Sequence, residues 1–165
     1  ENTSDGIVAP LIYLALGGPA CAMASKAIST LDSMVGYRND RYRDFGWASA
    51  RADDFVNWIP ARLTAVAMSL AAAIRLGTGV SAWQICRRDA RCHPSPNSGW
   101  PEAAMAGALG VQLGGGNVYG GVREVRARLG DPITTCSMAL IPVALQVMGI
   151  AYGLLFMGIM GWVMW

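Results

Sequence analysis

Charged residues are scarce in this chain of 165 residues, of which Asp, Glu, Lys and Arg make up only 15%. A soluble domain averages about 25% charged residues. Hydrophobic residues make up 53% of the chain, so the deficit of charge indicates that lipid is part of its surroundings. The net charge is only +2, which is too small to favour a nucleic-acid partner.

Histidine, lysine and cysteine are rare as well. His93 and Lys26 are the only residues of their kinds, and the 4 cysteines include no C-x-x-C pair. One histidine without such a pair does not complete a usual zinc site, and we predict no disulfide framework. Cys21 and Cys136 stand in apolar runs, which predicts that they are small core residues.

Three segments of the chain are apolar, namely residues 7–25, 61–76 and 138–162. They predict an all-α, polytopic integral membrane protein. We expect it to form one domain, with the functional site on its polar loops. Gly17, Gly18 and Pro19 interrupt the first segment. It is therefore either one kinked span or a short re-entrant helix followed by a second helix, and we favour the broken form. Irregular backbone at membrane depth is tolerated where it lines a cavity, which makes Asn2 and Asp5 site candidates.

The other two segments differ in length. The second has an apolar core of only 12 residues, Leu63–Ile74, which is short for a simple span, although Arg62 and Arg75 could lengthen it by reaching outward. The third lies in a charge-free run from Ile133 to Trp165. Its glycines are spaced for a helix-packing face: Gly149, Gly153 and Gly161.

Charge returns between Thr30 and Thr64, where a helix is predicted over Trp47–Ile59 with a kink or restart at Pro60. On that helix Asp53, Asp54 and Asn57 share a face, since they are three or four residues apart. Two carboxylates and an amide are ligands that Mg²⁺ accepts. The alternative is a pair of carboxylates that serves only the helix dipole.

Arginine is concentrated in the same stretch. An anion site for phosphate is one interpretation, and a basic anchor at the membrane surface is an equally good one. The residues concerned are Asp32, Arg38, Arg41, Tyr42, Arg43 and Arg51. Arg62 belongs with the acidic group, where it could neutralise phosphate charge.

A third polar group follows in the loop His93–Pro101, whose three prolines stiffen the backbone. Rigid loops present polar groups at a lower entropic cost of binding. His93 could act as a base near neutral pH, and the other candidates are Ser95, Asn97, Trp100 and Glu102. Ser98 or Gly99 before Pro101 also resembles an ordinary helix start. The next segment, Glu102–Leu113, is rich in alanine and glycine, which predicts close helix packing.

Three blocks of sequence carry a resemblance, namely ENTSDGIVAPLIYLALGG, DSMVGYRNDRYRDFGWASARADDFVNWIPARLTA and HPSPNSGWPEAAMAGALGVQLGG. In this order they resemble the CbiB/CobD family of adenosylcobinamide-phosphate synthases of cobalamin biosynthesis. That family has further membrane segments ahead of the first block, so we expect this chain to be the C-terminal portion of a longer protein. Any site residues that precede Glu1 in the longer protein would then not be part of this sequence.

The resemblance implies an ATP-dependent ligase that forms an amide between adenosylcobyric acid and (R)-1-amino-2-propanol or its O-phosphate. It implies Mg-ATP as co-substrate, and the corrinoid as substrate rather than cofactor. Under that interpretation Asp53, Asp54 and Asn57 hold magnesium, while His93 or Glu102 takes the amine proton. The phosphate ligands would be Arg38, Arg41, Arg51 and Arg62, and the aromatic residues flanking the corrin ring would be Trp47, Trp58 and Trp100. Because one site must gather all three substrates, we expect the Thr30–Arg62 region and the His93–Glu102 loop to meet.

Two other functions remain open. The first is a magnesium-dependent membrane transferase for phosphorylated substrates, and the second is a non-catalytic membrane sensor of the AmpE-like kind. The expected location is the bacterial inner membrane, which the chain would cross several times. The expected partners are the two substrates and the bilayer, with no nucleic acid, and assembly into a homo-oligomer is left open.

Overall fold

The computed structural model describes residues 3–36, 43–119 and 122–165. The first helical stretch is a π-helical turn, Ser4–Val8, that continues into α1 (Ala9–Val35). The elements after it are α2 (Arg43–Val56), α3 (Trp58–Leu76), α4 (Gly79–Asp89), a 3₁₀ turn (Ala90–Cys92), α5 (Gly99–Leu109), strands β1 (Leu113–Tyr119) and β2 (Val122–Leu129), and α6 (Leu140–Val163). The chain is thus mainly helical, as the sequence predicts for a membrane protein.

Three stretches are long and apolar enough to cross a membrane: Ser4–Val35, Trp58–Leu76 and Leu140–Val163. They coincide with the three predicted segments, although the first extends ten residues beyond Ser25. Half of the apolar window of α3 is buried inside the protein, against 11% for each of the other two. The second segment is therefore packed within the protein, which accounts for its short apolar core.

The predicted break in α1 is present. Gly17 has φ −148° and ψ 20°, and Gly18 has φ 71° and ψ −167°, so neither is helical. A continuous helix from Asp5 to Asp32 would be about 40 Å long. The charges of both residues nevertheless act on Asp53 in α2. The segment therefore doubles back at the two glycines, and residues 4–16 and 19–35 form a helical hairpin whose arms, about 20 and 25 Å long, are shorter than a bilayer core of about 30 Å.

We expect Gly18→Ala to destabilise the protein by about 1–3 kcal/mol, because the φ and ψ angles of Gly18 are accessible essentially to glycine alone. A methyl group at this position meets nothing within 4 Å, so the cost comes from the backbone and not from a clash. Thermal unfolding in detergent measures the effect. The control is Gly149→Ala in α6, where the added methyl group also meets nothing within 4 Å. Equal melting temperatures for the two variants would contradict the strained reversal.

The core forms where α3 packs against α4, α5 and α6. The alanines of α5 are buried, and a Cβ atom added to Gly107 would lie 2.8 Å from the Cα atom of Ala82 in α4. Small residues therefore let these two helices touch along their backbones, as the composition of Glu102–Leu113 predicts. The buried core residues are Ala65, Ala67, Met68, Ala71, Ile85, Cys86, Ala90, Ala103, Ala104, Leu129, Val147 and Ala151.

A β-hairpin follows α5, and the sequence analysis missed it. β1 pairs antiparallel with β2, with Leu113 opposite Leu129 and a bulge before Gly115. Gly114 and Gly115 have φ of 83° and 88°, and a Cβ atom on Gly114 would overlap the carbonyl oxygen of Ala127. The glycine run is thus part of a bulged strand that requires glycine.

One further expectation is wrong. Cys21 and Cys136 are exposed, and only Cys86 among the four cysteines is buried. Local apolar composition marks a lipid-facing surface and a protein core in the same way, which is why this expectation failed. The glycine face of α6 has no partner among the described residues of this chain, since a Cβ atom at Gly149, Gly153 or Gly161 meets nothing within 4 Å, so its role in helix packing stays a prediction.

Candidate functional site

The acidic group forms where α2 ends. Asp53 and Asp54 are in its last turn, and Asn57 is the single residue between α2 and α3. The predicted helix Trp47–Ile59 therefore ends earlier, at Val56, and Pro60 falls in the first turn of α3 rather than at the break. The Asn57 side-chain amide still reaches Asp53, because its Nδ2 donates a hydrogen bond of 2.9 Å to Oδ1. The predicted pairing of these two side chains is confirmed.

Asn57 is 1% exposed, and its Oδ1 has no hydrogen-bond partner among the described residues. A buried amide oxygen without a hydrogen bond lowers the free energy of unfolding by about 1–3 kcal/mol, so such an atom in a native protein calls for a functional explanation. Carbonyl oxygens of this kind are ligands for Mg²⁺. The donor set of one carboxylate and one free amide oxygen therefore fits a magnesium ion.

The helical hairpin adds negative charge to this group. Burial, first, and then the charge of Asp5 raise the pKa of Asp53 to about 6, with smaller contributions from Asp32 and Asp54, while the hydrogen bond from Asn57 opposes the rise. Burial also raises the pKa of Asp54, and the nearby Arg51 counteracts that. Asp53 is thus a carboxyl group surrounded by like charge, an environment that a cation would relieve.

The acidic residues do not form a closed cage. No three Asp, Glu, His or Cys side chains within the described ranges converge closely enough to hold a metal ion by themselves. Asp5 and Asp32 thus act on Asp53 through their charge and not as joint ligands in this arrangement. Magnesium commonly takes only one or two carboxylates from a protein and completes its shell with water and substrate phosphates. The group suits a metal that arrives with a phosphate-bearing substrate.

The loop from His93 to Ser98 is held by its own polar side chains. The Ser95 hydroxyl accepts hydrogen bonds from the backbone N–H groups of Asn97 and Ser98 at 3.3 and 3.2 Å. The loop also fits tightly under the 3₁₀ turn, because a Cβ atom on Gly99 would overlap the carbonyl oxygen of Ala90. The proline-framed loop is therefore rigid, as predicted.

Asn97 joins this loop to the acidic group. Its buried amide Nδ2 donates a hydrogen bond of 2.9 Å to the backbone carbonyl of Asp54, and its Oδ1 accepts one of 3.3 Å from Nη1 of Arg62. One side chain thus contacts the end of α2 and the first turns of α3. The expectation that the two polar regions meet is confirmed.

Arg62 lies between two indole rings. Its guanidinium carbon is 4.1 Å from the centre of the Trp58 ring and 4.9 Å from that of Trp100. Nη1 also donates a hydrogen bond to the carbonyl oxygen of Trp58 at 2.6 Å. These contacts fix the guanidinium beside a cavity of about 500 Å³, which is lined by Trp58, Arg62, Arg91, His93, Pro94, Pro96 and Trp100.

His93, which lines this cavity, forms a pair with Glu102. Nδ1 of His93 lies 3.0 Å from the backbone N–H of Ser95, which can only donate, and 3.3 Å from the carbonyl oxygen of Ser95, which can only accept. The shorter contact favours the tautomer in which Nδ1 is the acceptor. A neutral ring then carries its proton on Nε2, which lies 3.5 Å from Oε2 of Glu102. The N–H of the His93 ring therefore faces one carboxylate oxygen of Glu102, and the other carboxylate oxygen is left to act as a base.

The predicted site residues thus fall into three groups: those that lie together, one that lies apart from the cavity, and those outside the described residues. The structure brings Asp53, Asp54, Asn57, Arg62, Asn97, Trp100, His93 and Glu102 into one region, and Asp5 and Asp32 act on it through their charge. Arg51 is exposed, with its guanidinium 5.8 Å from the Trp47 ring centre, and it does not line the cavity. Asn2, Arg38, Arg41 and Tyr42 lie outside the described residues, as does the side chain of Arg43.

Arg91 is the residue that sequence reasoning missed. It lies in the 3₁₀ turn, two positions before His93, and lines the cavity. The only sequence signal was its closeness to the loop, since it stands in a generally basic stretch that ends α4.

The comparisons with known proteins identify a family for the chain. A family model described as CobD/Cbib protein matches residues 1–148, which include every described side chain named above for the site. The chain belongs to the CobD/CbiB family. It is 60% identical over 133 residues to "Cobalamin biosynthesis protein CobD" of Geobacter metallireducens, with 81% of this chain and 42% of that protein covered. No solved structure matches the chain.

A second CobD/CbiB relative is matched over almost the whole chain. The protein of the same name from Klebsiella pneumoniae subsp. pneumoniae is 47% identical over 165 residues, which cover 98% of this chain and 52% of that protein. The chain therefore spans about half the length of the curated relatives it matches. Its family places it in cobalamin biosynthesis, and the helices above make it a membrane protein.

Proposed function

We propose that this chain carries the site of an ATP-dependent ligase that forms an amide between the side-chain carboxylate of adenosylcobyric acid and (R)-1-amino-2-propanol or its O-phosphate. The observation that supports it is the position of Asn97, which contacts both the acidic end of α2 and the arginine-lined cavity. The proposed metal-phosphate site and the proposed anion site would thus lie next to each other, as joining two substrates requires.

In this proposal Asp53, Asp54 and Asn57 hold the magnesium of Mg-ATP. Bound there, the ion would offset negative charge on the phosphoryl oxygens. The free Oδ1 of Asn57 is the ligand that the structure leaves unpaired, whereas the carboxylate of Asp53 is already oriented by the Asn57 amide. These residues position the nucleotide and do no covalent chemistry themselves.

The reaction has two steps. The acid substrate's carboxylate attacks ATP and becomes an acyl phosphate or an acyl adenylate, with ADP or pyrophosphate as the leaving group. The amine nitrogen then attacks the acyl carbon, the phosphate or AMP leaves, and the nitrogen loses a proton. We assign that proton to Glu102, because His93 already holds one between them. Arg62 stabilises the negative charge of the phosphate-bearing groups.

The corrinoid would approach from the outer face of this region. Trp58 is 53% exposed and Trp47 65% exposed, so both rings are available to a large planar ligand. Aromatic residues at a membrane surface have the same appearance when they only contact lipid. The variant Trp58→Ala distinguishes a corrin contact from a lipid contact, since loss of a corrin contact would raise the KM for the acid substrate and loss of a lipid contact would not.

The proposed location is the bacterial inner membrane, with several crossings.

The test is a reconstitution of the protein, as its gene encodes it, in membranes with adenosylcobyric acid, Mg-ATP and aminopropanol phosphate. We expect adenosylcobinamide phosphate together with stoichiometric ADP or AMP, detected by chromatography and mass spectrometry. Product formed without ATP would contradict the ATP-dependent mechanism. Transfer of a phosphorylated group without amide formation would instead favour the membrane transferase, and no turnover of any substrate would favour the sensor.

A further inference from the structure

Two buried side-chain oxygen atoms in the described part of the chain have no hydrogen-bond partner, namely Oγ of Ser4 and Oδ1 of Asn57. Each of the two residues is 1% exposed. Ser4 begins the π-helical turn at the start of the helical hairpin, whereas Asn57 separates α2 from α3. Buried polar side chains are nearly always hydrogen bonded in folded proteins, so both exceptions require an explanation.

The segments that carry these two atoms pack against each other. The π-helical turn contacts α3, which begins directly after Asn57. Ser4 and Val8 are both buried, so one face of the turn is directed into the protein. Further along the same arm, the Tyr13 hydroxyl donates a hydrogen bond of 2.9 Å to the carbonyl oxygen of Val56, the neighbour of Asn57. Two separate contacts thus hold the first arm of the hairpin against the junction between α2 and α3.

Negative charge surrounds this junction. The amide of Asn57 is hydrogen bonded to the carboxylate of Asp53. Asp5, which directly follows Ser4, and Asp32 from the second arm both act on Asp53 through their charge. A water molecule can satisfy buried oxygen atoms, but it does not offset this charge. A cation does both, because it binds neutral oxygens and relieves the repulsion among the carboxylates.

Hydroxyl and amide oxygens are suitable ligands for a hard divalent cation. Mg²⁺ takes an octahedral shell of oxygen ligands, and serine or threonine hydroxyl groups hold it in many nucleotide-binding proteins. No three acidic, histidine or cysteine side chains converge in the described ranges, so neutral oxygens have to complete a cation site here. The buried hydroxyl groups of Thr64 and Ser69 in α3 already donate to carbonyl oxygens of their own helix at 2.8 and 2.9 Å. Ser4 supplies a hydroxyl group that is not engaged in this way.

We infer that Oγ of Ser4 is a further ligand of the divalent cation that binds Oδ1 of Asn57 and the carboxylate of Asp53. The inference rests on the proposed function for the nucleotide that accompanies the cation, but it concerns cation binding alone. The hydroxyl group binds through a lone pair and keeps its proton. Because Ser4 is on the first arm and Asn57 at the junction between α2 and α3, ligation by both oxygens ties the hairpin to the acidic group.

Binding of Mn²⁺, measured by electron paramagnetic resonance, tests this ligand without any turnover. The protein, as its gene encodes it, is placed in phosphatidylcholine nanodiscs and titrated with Mn²⁺ alone and with Mn²⁺ plus a non-hydrolysable ATP analogue. We expect Ser4→Ala to weaken Mn²⁺ binding at least about tenfold, the scale on which residues that support a metal site act. The control is Ser25→Ala, which removes a buried hydroxyl from the second arm that already donates to the Ala22 carbonyl at 2.8 Å, and it should preserve the affinity.

Thermal unfolding of the same variants separates a cation ligand from a structural hydroxyl group. Without a divalent cation, Ser4→Ala removes a buried group that has no partner, so its melting temperature should equal or exceed that of the unsubstituted protein. Ser25→Ala loses a hydrogen bond and should melt at a lower temperature. Addition of Mn²⁺ and the ATP analogue should raise the melting temperature of Ser25→Ala and leave that of Ser4→Ala nearly unchanged.

Each contrary result has a definite meaning. Unchanged Mn²⁺ affinity in Ser4→Ala, an equal loss in Ser25→Ala, or no Mn²⁺ binding by the unsubstituted protein in either titration would overturn the inference. A lower melting temperature of Ser4→Ala without any cation, together with normal Mn²⁺ binding, would make the hydroxyl a structural group. Loss of Mn²⁺ binding in Asp53→Asn but not in Ser4→Ala would overturn the inference and leave the metal site of the proposed function intact. Weakened binding in Ser4→Ala without amide formation by the unsubstituted protein would contradict only the proposed function.

Discussion

Asp53→Asn is expected to lower turnover at least about a hundredfold, which is the scale of losing one strong electrostatic contribution at a reacting centre. The substitution keeps the size of the side chain and an oxygen that can accept the hydrogen bond from Asn57, so the junction between α2 and α3 should persist. What it removes is the negative charge beside the free Oδ1 of Asn57. Turnover under saturating Mg-ATP and membrane-inserted yield, measured together, separate catalysis from folding.

Asp131→Asn is the matched control for Asp53→Asn, because it also changes a carboxylate to an amide but lies near Arg88, after the β-hairpin. It should leave turnover within about threefold. If Asp53→Asn also stays within about threefold and keeps a normal Mg²⁺ dependence, Asp53 does no more than serve the helix dipole, an effect of about 0.3–1 kcal/mol.

The raised pKa of Asp53 gives this site a pH dependence. The folded pKa of Asp53, about 6, lies above its ordinary value of 3.8, so folding favours the protonated form. The contribution of Asp53 to stability is therefore fully present below the unfolded pKa and is lost as pH rises through about 6. Magnesium needs the ionised carboxylate, so it should raise the melting temperature at pH 7.5 and not at pH 5, and in Asp53→Asn at neither pH.

Local spacing was enough to predict part of this site. Asp53 and Asn57 are four residues apart, and this separation brings them together even though the helix ends between them. The stiffness of the loop after His93 followed in the same way from its prolines. These contacts depend on neighbours along the chain, and a sequence displays such neighbours directly.

Contacts between distant segments could not be predicted in this detail. Asp5 and Asp32 approach Asp53 only because α1 reverses at Gly17 and Gly18, and the sequence shows a break without its direction. Arg91 lines the cavity because α4 packs against both α3 and α5, and small residues such as Gly107 let α5 approach α4 closely. The β-hairpin was missed because its glycine run is typical of a helix end as much as of a bulged strand.

Glu102→Gln is expected to lower turnover by about two to four orders of magnitude, the usual contribution of a positioned acid or base. Glutamine keeps the length of the side chain and an oxygen that can face Nε2 of His93, so the first turn of α5 should be preserved. It lacks the basic oxygen that takes the proton from the attacking amine. Single-turnover measurements should show normal acyl-intermediate formation, seen as ADP or pyrophosphate released without amide.

His93→Gln provides the contrast, because in this geometry His93 acts through Glu102 and is a positioning residue. Its Nδ1 accepts from the Ser95 backbone, and its Nε2 faces the carboxylate, so no ring nitrogen is free to take a proton from substrate. We expect a loss at least about tenfold smaller than for Glu102→Gln, together with a displaced acid limb of the pH–rate profile, since the proton presented to Glu102 is gone. If His93→Gln instead abolishes turnover while Glu102→Gln is nearly normal, the imidazole ring rotates during the reaction and His93 is the base.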